Sequence, residues 1–148
     1  MPGRIGVAGR DRVDPDVAFS VCSEDFVLET PAFGTRGVGK QEVAAQLELF
    51  FAAFPDYNVE LVGFADGDLL ATWGCARISF HGELIGIAPT HKTANLEVTC
   101  LIDVKGGVLQ SERFIFDRAD FCEQLGIPAP ELAAARALVL SLSAKRQD

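Results

Sequence analysis

Proton-transfer chemistry needs an ionisable side chain held in apolar company, and the segment from Val108 to Phe116 offers a candidate. Strand alternation there puts Gln110, Glu112, Phe114 and Phe116 on one face. A carboxyl withdrawn from water among such neighbours is pushed toward its neutral form, the condition for a general acid/base. The competing reading leaves Glu112 at the wet end of its strand, where it only solvates the backbone. Gln46 raises the same question on a helix. It falls within the angular range of the Val43, Leu47 and Phe50 stripe, where a polar side chain needs a partner or a ligand. A structural hydrogen bond to a neighbouring strand would account for it equally well.

Cys100 shares a strand face with Leu96, Val98 and Ile102, and a small core residue is the plainer reading of it. Cys22, Cys75, Cys100 and Cys122 contain no C-x-x-C pair and read as buried reduced thiols. With only His81 and His91 beside them a zinc site has little support, so no metal is expected. His91 reads as a loop residue in solvent. Trp73 and Phe80 fall on opposite faces of one strand, so only one of them can line an interior without a bulge between them.

The elements that must position these residues are readable from periodicity. Asp14-Pro15 predicts an N-cap followed by proline at the first helical position, hence a short helix from Pro15 to about Ser23, then a strand from Phe26 to Thr30. Lys40 to Phe54 is the strongest helix: Val43, Leu47, Phe50, Phe51 and Phe54 recur at helical spacing, and Pro55-Asp56 stops it. The pattern then turns to strands over Tyr57–Phe64, Leu69–His81, Ala94–Val104 and Val108–Phe116, with hairpin turns at Asp66-Gly67 and Gly106-Gly107. Asp117 is placed to cap a helix over Ala119–Leu125 that Gly126 ends. Glu131 to Leu142 reads as an Ala/Leu-rich helix that needs a surface to lie on. Helices followed by a meander of long strands imply an α+β layer, a curved sheet wrapped on the helices with an apolar pocket at its open end.

At 148 residues the chain is expected to be one domain over 1–148, with 1–13 flexible and 129–148 a C-terminal helix. A formal net charge of -8 without a basic stripe argues against nucleic acid and anionic membrane surfaces as partners. The opening residues lack the apolar run of a signal peptide, and a cytoplasmic protein is expected.

Several segments resemble the SnoaL-like polyketide cyclases, a branch of the nuclear-transport-factor-2-like superfamily. They are Glu29-Thr30-Pro31, the helix end Ala53-Phe54-Pro55-Asp56, the run from His81 through Gly82-Glu83-Leu84-Ile85-Gly86-Ile87-Ala88-Pro89-Thr90, then Gly107, Asp117 and Gln124-Leu125-Gly126. The G-E-x-x-G-x-x-P-T run is the most specific of these. The resemblance implies a cone-shaped, usually dimeric fold that binds a hydrophobic small molecule in its mouth. It also implies aldol ring closure without cofactor or metal, driven by an aspartate on the last strand. That position falls on Phe114, which cannot accept a proton, and the residue before it, usually Trp, is Arg113. His91 stands where the family has glycine after Pro-Thr, and Cys100 where it can have His. His81 is one residue out of step with the family motif. Glu112, one step from the missing aspartate on the same face, is then the expected replacement acid/base. Gln46, Phe54, Cys100 and Phe114 are the expected substrate-binding residues.

Three functional readings stay open at this stage. The first is a cofactor-free cyclase or isomerase using Glu112. The second is a catalytically silent protein that holds a hydrophobic metabolite, which suits Phe114 and 11 Phe against one Tyr. The third is a hydrolase resembling epoxide hydrolases on this fold, for which Arg77, Asp103 and Arg113 would have to converge.

Overall fold

Period-two patterning and glycine-bearing turns build most of the molecule. The computed structural model describes residues 7–8 and 19–133. Within them lie β1 (Val7–Ala8), β2 (Cys22–Thr30), β3 (Thr35–Val38), α1 (Lys40–Ala53), β4 (Asn58–Asp66), β5 (Leu69–Ser79), β6 (Thr93–Lys105), β7 (Val108–Ile115) and α2 (Arg118–Leu125). The strands form one curved, open sheet in the order β1-β4-β5-β6-β7-β2-β3. Neighbours are antiparallel except β2 and β7, which run parallel.

The fold is the expected α+β class with a mixed sheet wrapped on helices, and the differences from the sequence reading are local. The β4–β5 hairpin turns on Gly67-Asp68, one residue later than expected, because Gly67 (φ 57) supplies a left-handed residue at the first turn position. Gly106 and Gly107 (φ 58 and 77) turn β6 into β7 where expected. Strand β2 begins at Cys22 rather than Phe26, so the helical turn at residues 19–20 ends before Ser23. Strand β3 was not foreseen, and Val7–Ala8 pairs with Leu61 and Glu60 inside a segment expected to be flexible. Most of the helices expected over Pro15–Ser23 and Glu131–Leu142 lies outside the described residues; residues 129–133 are helical, and Leu132 packs on the core.

Helix α1 meets the expectation closely. Glu42 Oε2 accepts from the Val38 amide at 3.0 Å over its first turn, and Phe54 N–H donates to Phe50 O at 2.9 Å at its end. Asp117 caps α2, its Oδ1 accepting from the Asp120 amide at 2.9 Å, and Gly126 closes it in the left-handed conformation.

Even-numbered residues of β5 and β6 face inward in cross-strand pairs: Ile78 with Ala94, Ala76 with Leu96, Gly74 with Val98, Thr72 with Cys100 and Leu70 with Ile102. The core fills one end of this face, where Phe54, Phe80, Ile78, Phe121 and Leu125 are fully buried. Phe54 stacks within 5.6 Å of Phe80 and 5.8 Å of Phe121, ring to ring. Phe80 is therefore the inward member of the strand, and Trp73 stands on the outer face, 48% exposed. Cys100 and Cys122 are buried as expected, whereas Cys75 is exposed on the outer side of β5. Among the described residues no helix is long and apolar enough to cross a membrane.

Candidate active site

Beyond the aromatic core, the inner face of the sheet turns polar. Thr72 on β5 pairs with Cys100 on β6, and Cys100 pairs with Phe114 on β7. The next row runs Leu70, Ile102, Glu112 and Leu28, ending at Gly37 on β3. Glu112 and Cys100 are thus diagonal neighbours on one face, within reach of each other's side chains. The expected alternation of Glu112, Phe114 and Phe116 holds. Gln110 falls at the irregularity opposite Asp103 and Val104, and its amide turns back to Val108 O at 3.1 Å.

Glu112 has no ion pair among the described residues. Burial raises its carboxyl pKa above the ordinary value, opposed by the nearby Cys100 thiol. Cys100 is pushed up to about 12, first by burial and then by the neighbouring Glu112. Thr72 acts in the opposite direction on the thiol, but Thr72 Oγ1 is itself buried with no hydrogen-bond partner of proper geometry. A thiol is a weak donor and acceptor, so the hydroxyl beside it remains unsatisfied.

Tyr57, at the entry to β4, completes the group. Its ring leans on Phe50 at 5.6 Å and Phe51 at 5.8 Å, centroid to centroid. Its phenol pKa is driven well above the ordinary value by burial first, then by Cys100 and Glu112, so the hydroxyl is held as a donor. The site therefore joins a carboxyl biased toward neutrality, a permanently protonated phenol, an unionised thiol and an unsatisfied hydroxyl.

The remaining expected site residues divide. Phe114 lies between the two parts of the core, packing on Phe116 at 5.4 Å and flanking Glu112. Gln46 lies on the same side of the sheet, but over Gly37, where a Cβ would meet its Oε1 at 2.8 Å. It makes no side-chain hydrogen bond among the described residues, and two strand spacings, about 10 Å, separate Gly37 from Glu112. Phe54 has no exposed surface; it holds the core and offers no face to a ligand. Arg77, Asp103 and Arg113 do not converge. All three point outward, Asp103 accepting from Ser111 Oγ at 2.7 Å and Arg113 pairing with Glu29 at 3.6 Å. Arg77 lies six residues along β5 from the row of Arg113, roughly 20 Å away. Thr72 and Tyr57 were missed in the sequence, although a single Tyr among 11 Phe is a usable signal.

The SnoaL-like polyketide cyclase family model matches residues 6–125, most of the chain and all of these site residues. The chain belongs to that family. Solved structures agree with the SnoaL-like fold. A candidate SnoaL-like polyketide cyclase from Jannaschia sp. CCS1 superposes with a TM-score of 0.72 at 16% identity, covering 80% of this chain and 83% of that one. A protein of ketosteroid-isomerase-like fold from Catenulispora acidiphila DSM 44928, in complex with trimethylamine, gives 0.68 at 17% identity over 80% and 87%. IdmH, a candidate polyketide cyclase from Streptomyces antibioticus, gives 0.65 at 23% identity over 76% and 87%. No curated protein matches the chain. Within this SnoaL-like family, the chain carries its inward carboxyl at Glu112, with Phe114 beside it.

Proposed function

We propose that this SnoaL-like protein is a cofactor-independent cyclase or isomerase for a hydrophobic carbonyl compound, with Glu112 as general acid/base. The observation that carries the reading is Glu112 itself, a carboxyl partly withdrawn from water on the inner face, with no cation paired to it among the described residues. Such a group accepts a proton from an activated carbon and returns it elsewhere without a metal. Tyr57 and Thr72 supply hydrogen-bond donors for the oxygen on which negative charge develops, and donors fixed in a dry site stabilise an enolate far more than water does. The chemistry is then abstraction of a proton beside the carbonyl, followed by protonation or by attack of the carbanion on a second carbonyl to close a ring.

Phe114 in place of an acidic residue favours a second reading, a protein that binds a hydrophobic molecule without transforming it. One experiment separates the two. Hydrophobic ketones are incubated with the protein in D2O, and hydrogen exchange beside the carbonyl is followed by NMR. Exchange that is lost in Glu112→Gln supports the acid/base reading; tight binding without exchange in the wild type supports the carrier. The same proposal takes the protein as a homodimer. Val62, Trp73 and Ile115, which are 38%, 48% and 36% exposed in one cross-strand row, form an apolar outer surface that supports such a contact.

A further inference from the structure

Away from the inner face, the structure brings together the chain's two histidines. His81 Nδ1 and His91 Nδ1 lie 3.0 Å apart, with ring centroids at 5.3 Å and both residues exposed. The backbones that carry them are pinned. His81 N–H donates to Ala53 O at 3.1 Å, at the end of α1, and His91 N–H donates to Phe80 O at 2.8 Å. Thr90 Oγ1, the neighbour of His91, donates to Leu125 O at 2.6 Å, at the end of α2. Gly82 lets the first of these contacts form, since a Cβ there would come within 1.9 Å of Ala52 O.

His91 also sits at φ 59, in the left-handed region. A side chain other than glycine is disfavoured there by about 1 kcal/mol or more. The chain thus keeps a strained residue at this point, and its imidazole is the one that meets His81.

We propose that His81 and His91 form a bidentate surface site for a divalent transition-metal ion of the copper and nickel class. Neutral imidazole is the usual nitrogen ligand for such ions. Two nitrogens 3.0 Å apart, each about 2.0–2.1 Å from one ion, subtend an angle of about 94°. That angle suits square-planar or tetragonal coordination, whereas a tetrahedral ion would need the nitrogens roughly 3.3–3.4 Å apart. In the ion-free pair one Nδ1–H donates to the other Nδ1. Binding moves that proton to Nε2 of the same ring and turns the two exposed rings so that both Nδ1 lone pairs converge on the metal, with no change in ring charge. No third protein ligand is grouped with the pair among the described residues, which leaves the other positions to water. This site is independent of the inner-face chemistry and survives or fails without it.

The test is a calorimetric titration of the full chain with Ni2+, in a Cys75→Ser background because Cys75 is an exposed thiol. One equivalent is expected to bind in that parent, and none in either His81→Ala or His91→Gly. His91→Gly also relieves the left-handed strain, so its metal-free melting temperature should equal or exceed the parent's, separating lost binding from lost fold. Ni2+ should raise the melting temperature of the parent alone. Absence of saturable binding in the parent, binding that persists in both histidine variants, or loss in only one of them would each overturn the proposal.

Discussion

Glu29 and Glu112 stand on adjacent parallel strands, one register step apart, and face opposite sides of the same sheet. On the outer face, Glu29 has Arg36 Nε at 3.3 Å and Arg113 Nε at 3.6 Å, in a cluster open to solvent. On the inner face, Glu112 has the Cys100 thiol, the Tyr57 phenol, the Phe114 ring and aliphatic neighbours, and no ion pair among the described residues. The outer carboxylate is matched by charge and water. The inner carboxyl is partly withdrawn from water and has no cation partner among the described residues, and its pKa rises. The contrast teaches that in a curved sheet strand parity, more than position along the chain, decides whether an acid can do chemistry.

The same substitution on the two faces should therefore give opposite results. Glu112→Gln is expected to reduce any exchange or ring-closing activity on the order of 10² to 10⁴-fold, the usual contribution of a general acid/base. Near-native circular dichroism in that variant would exclude unfolding as the cause. Retention of full activity would remove Glu112 from the mechanism.

The second effect is on stability, and its sign follows from the raised pKa. The folded form binds the Glu112 proton more tightly than the unfolded chain does, so its contribution is fully present below the ordinary value of 4.5. It is lost as pH rises through the folded pKa. Each unit by which the folded pKa exceeds the unfolded one is worth about 1.4 kcal/mol. Urea unfolding of wild type and Glu112→Gln at pH 4.5 and pH 8 should show the wild type losing more stability with rising pH. Parallel changes in the two proteins would show that Glu112 is not desolvated.

Thr72→Val tests the neighbouring hydroxyl. Removing a buried group that lacks a partner should stabilise the protein by about 1 kcal/mol, while the affinity for a carbonyl ligand falls. A loss of stability instead would mean that the hydroxyl is satisfied in solution.

How much of this was legible depends on which interaction sets each feature. Strands β4 to β7 and both helices follow from local periodicity and turn chemistry, so the sequence shows them, with Asp117 read correctly as a cap. The inward placement of Glu112 follows from the same period-two rule. Strand β3 did not, because Thr35-Arg36-Gly37-Val38 is short, interrupted by glycine and held by pairing with β2 and by contacts from α1. Thr72 and Tyr57 join the site through cross-strand register and tertiary packing, which no single segment encodes. Gln46 shared the correct face, but its stripe gave no information on which strand it would meet. The meeting of His81 with His91 depends on the path of the loop between β5 and β6, and alternation along either strand says nothing of it.

The smallest expected effect is Glu29→Gln, and it is the control that gives the inner-face results their meaning. Glu29 keeps 38% of its side-chain surface exposed, and its arginine partners keep 60% and 57%. Charges so open to water contribute about 0–1 kcal/mol per pair, because hydration and side-chain entropy offset most of the attraction. The variant should thus unfold within about 1 kcal/mol of the wild type, and the difference should shrink at high salt as the ions are screened. Activity should be unchanged, since the carboxylate lies across the sheet from Glu112. A large loss of activity in Glu29→Gln would break the comparison: it would mean that the row linking Glu29 to Arg113 positions β7, and with it Glu112, from behind.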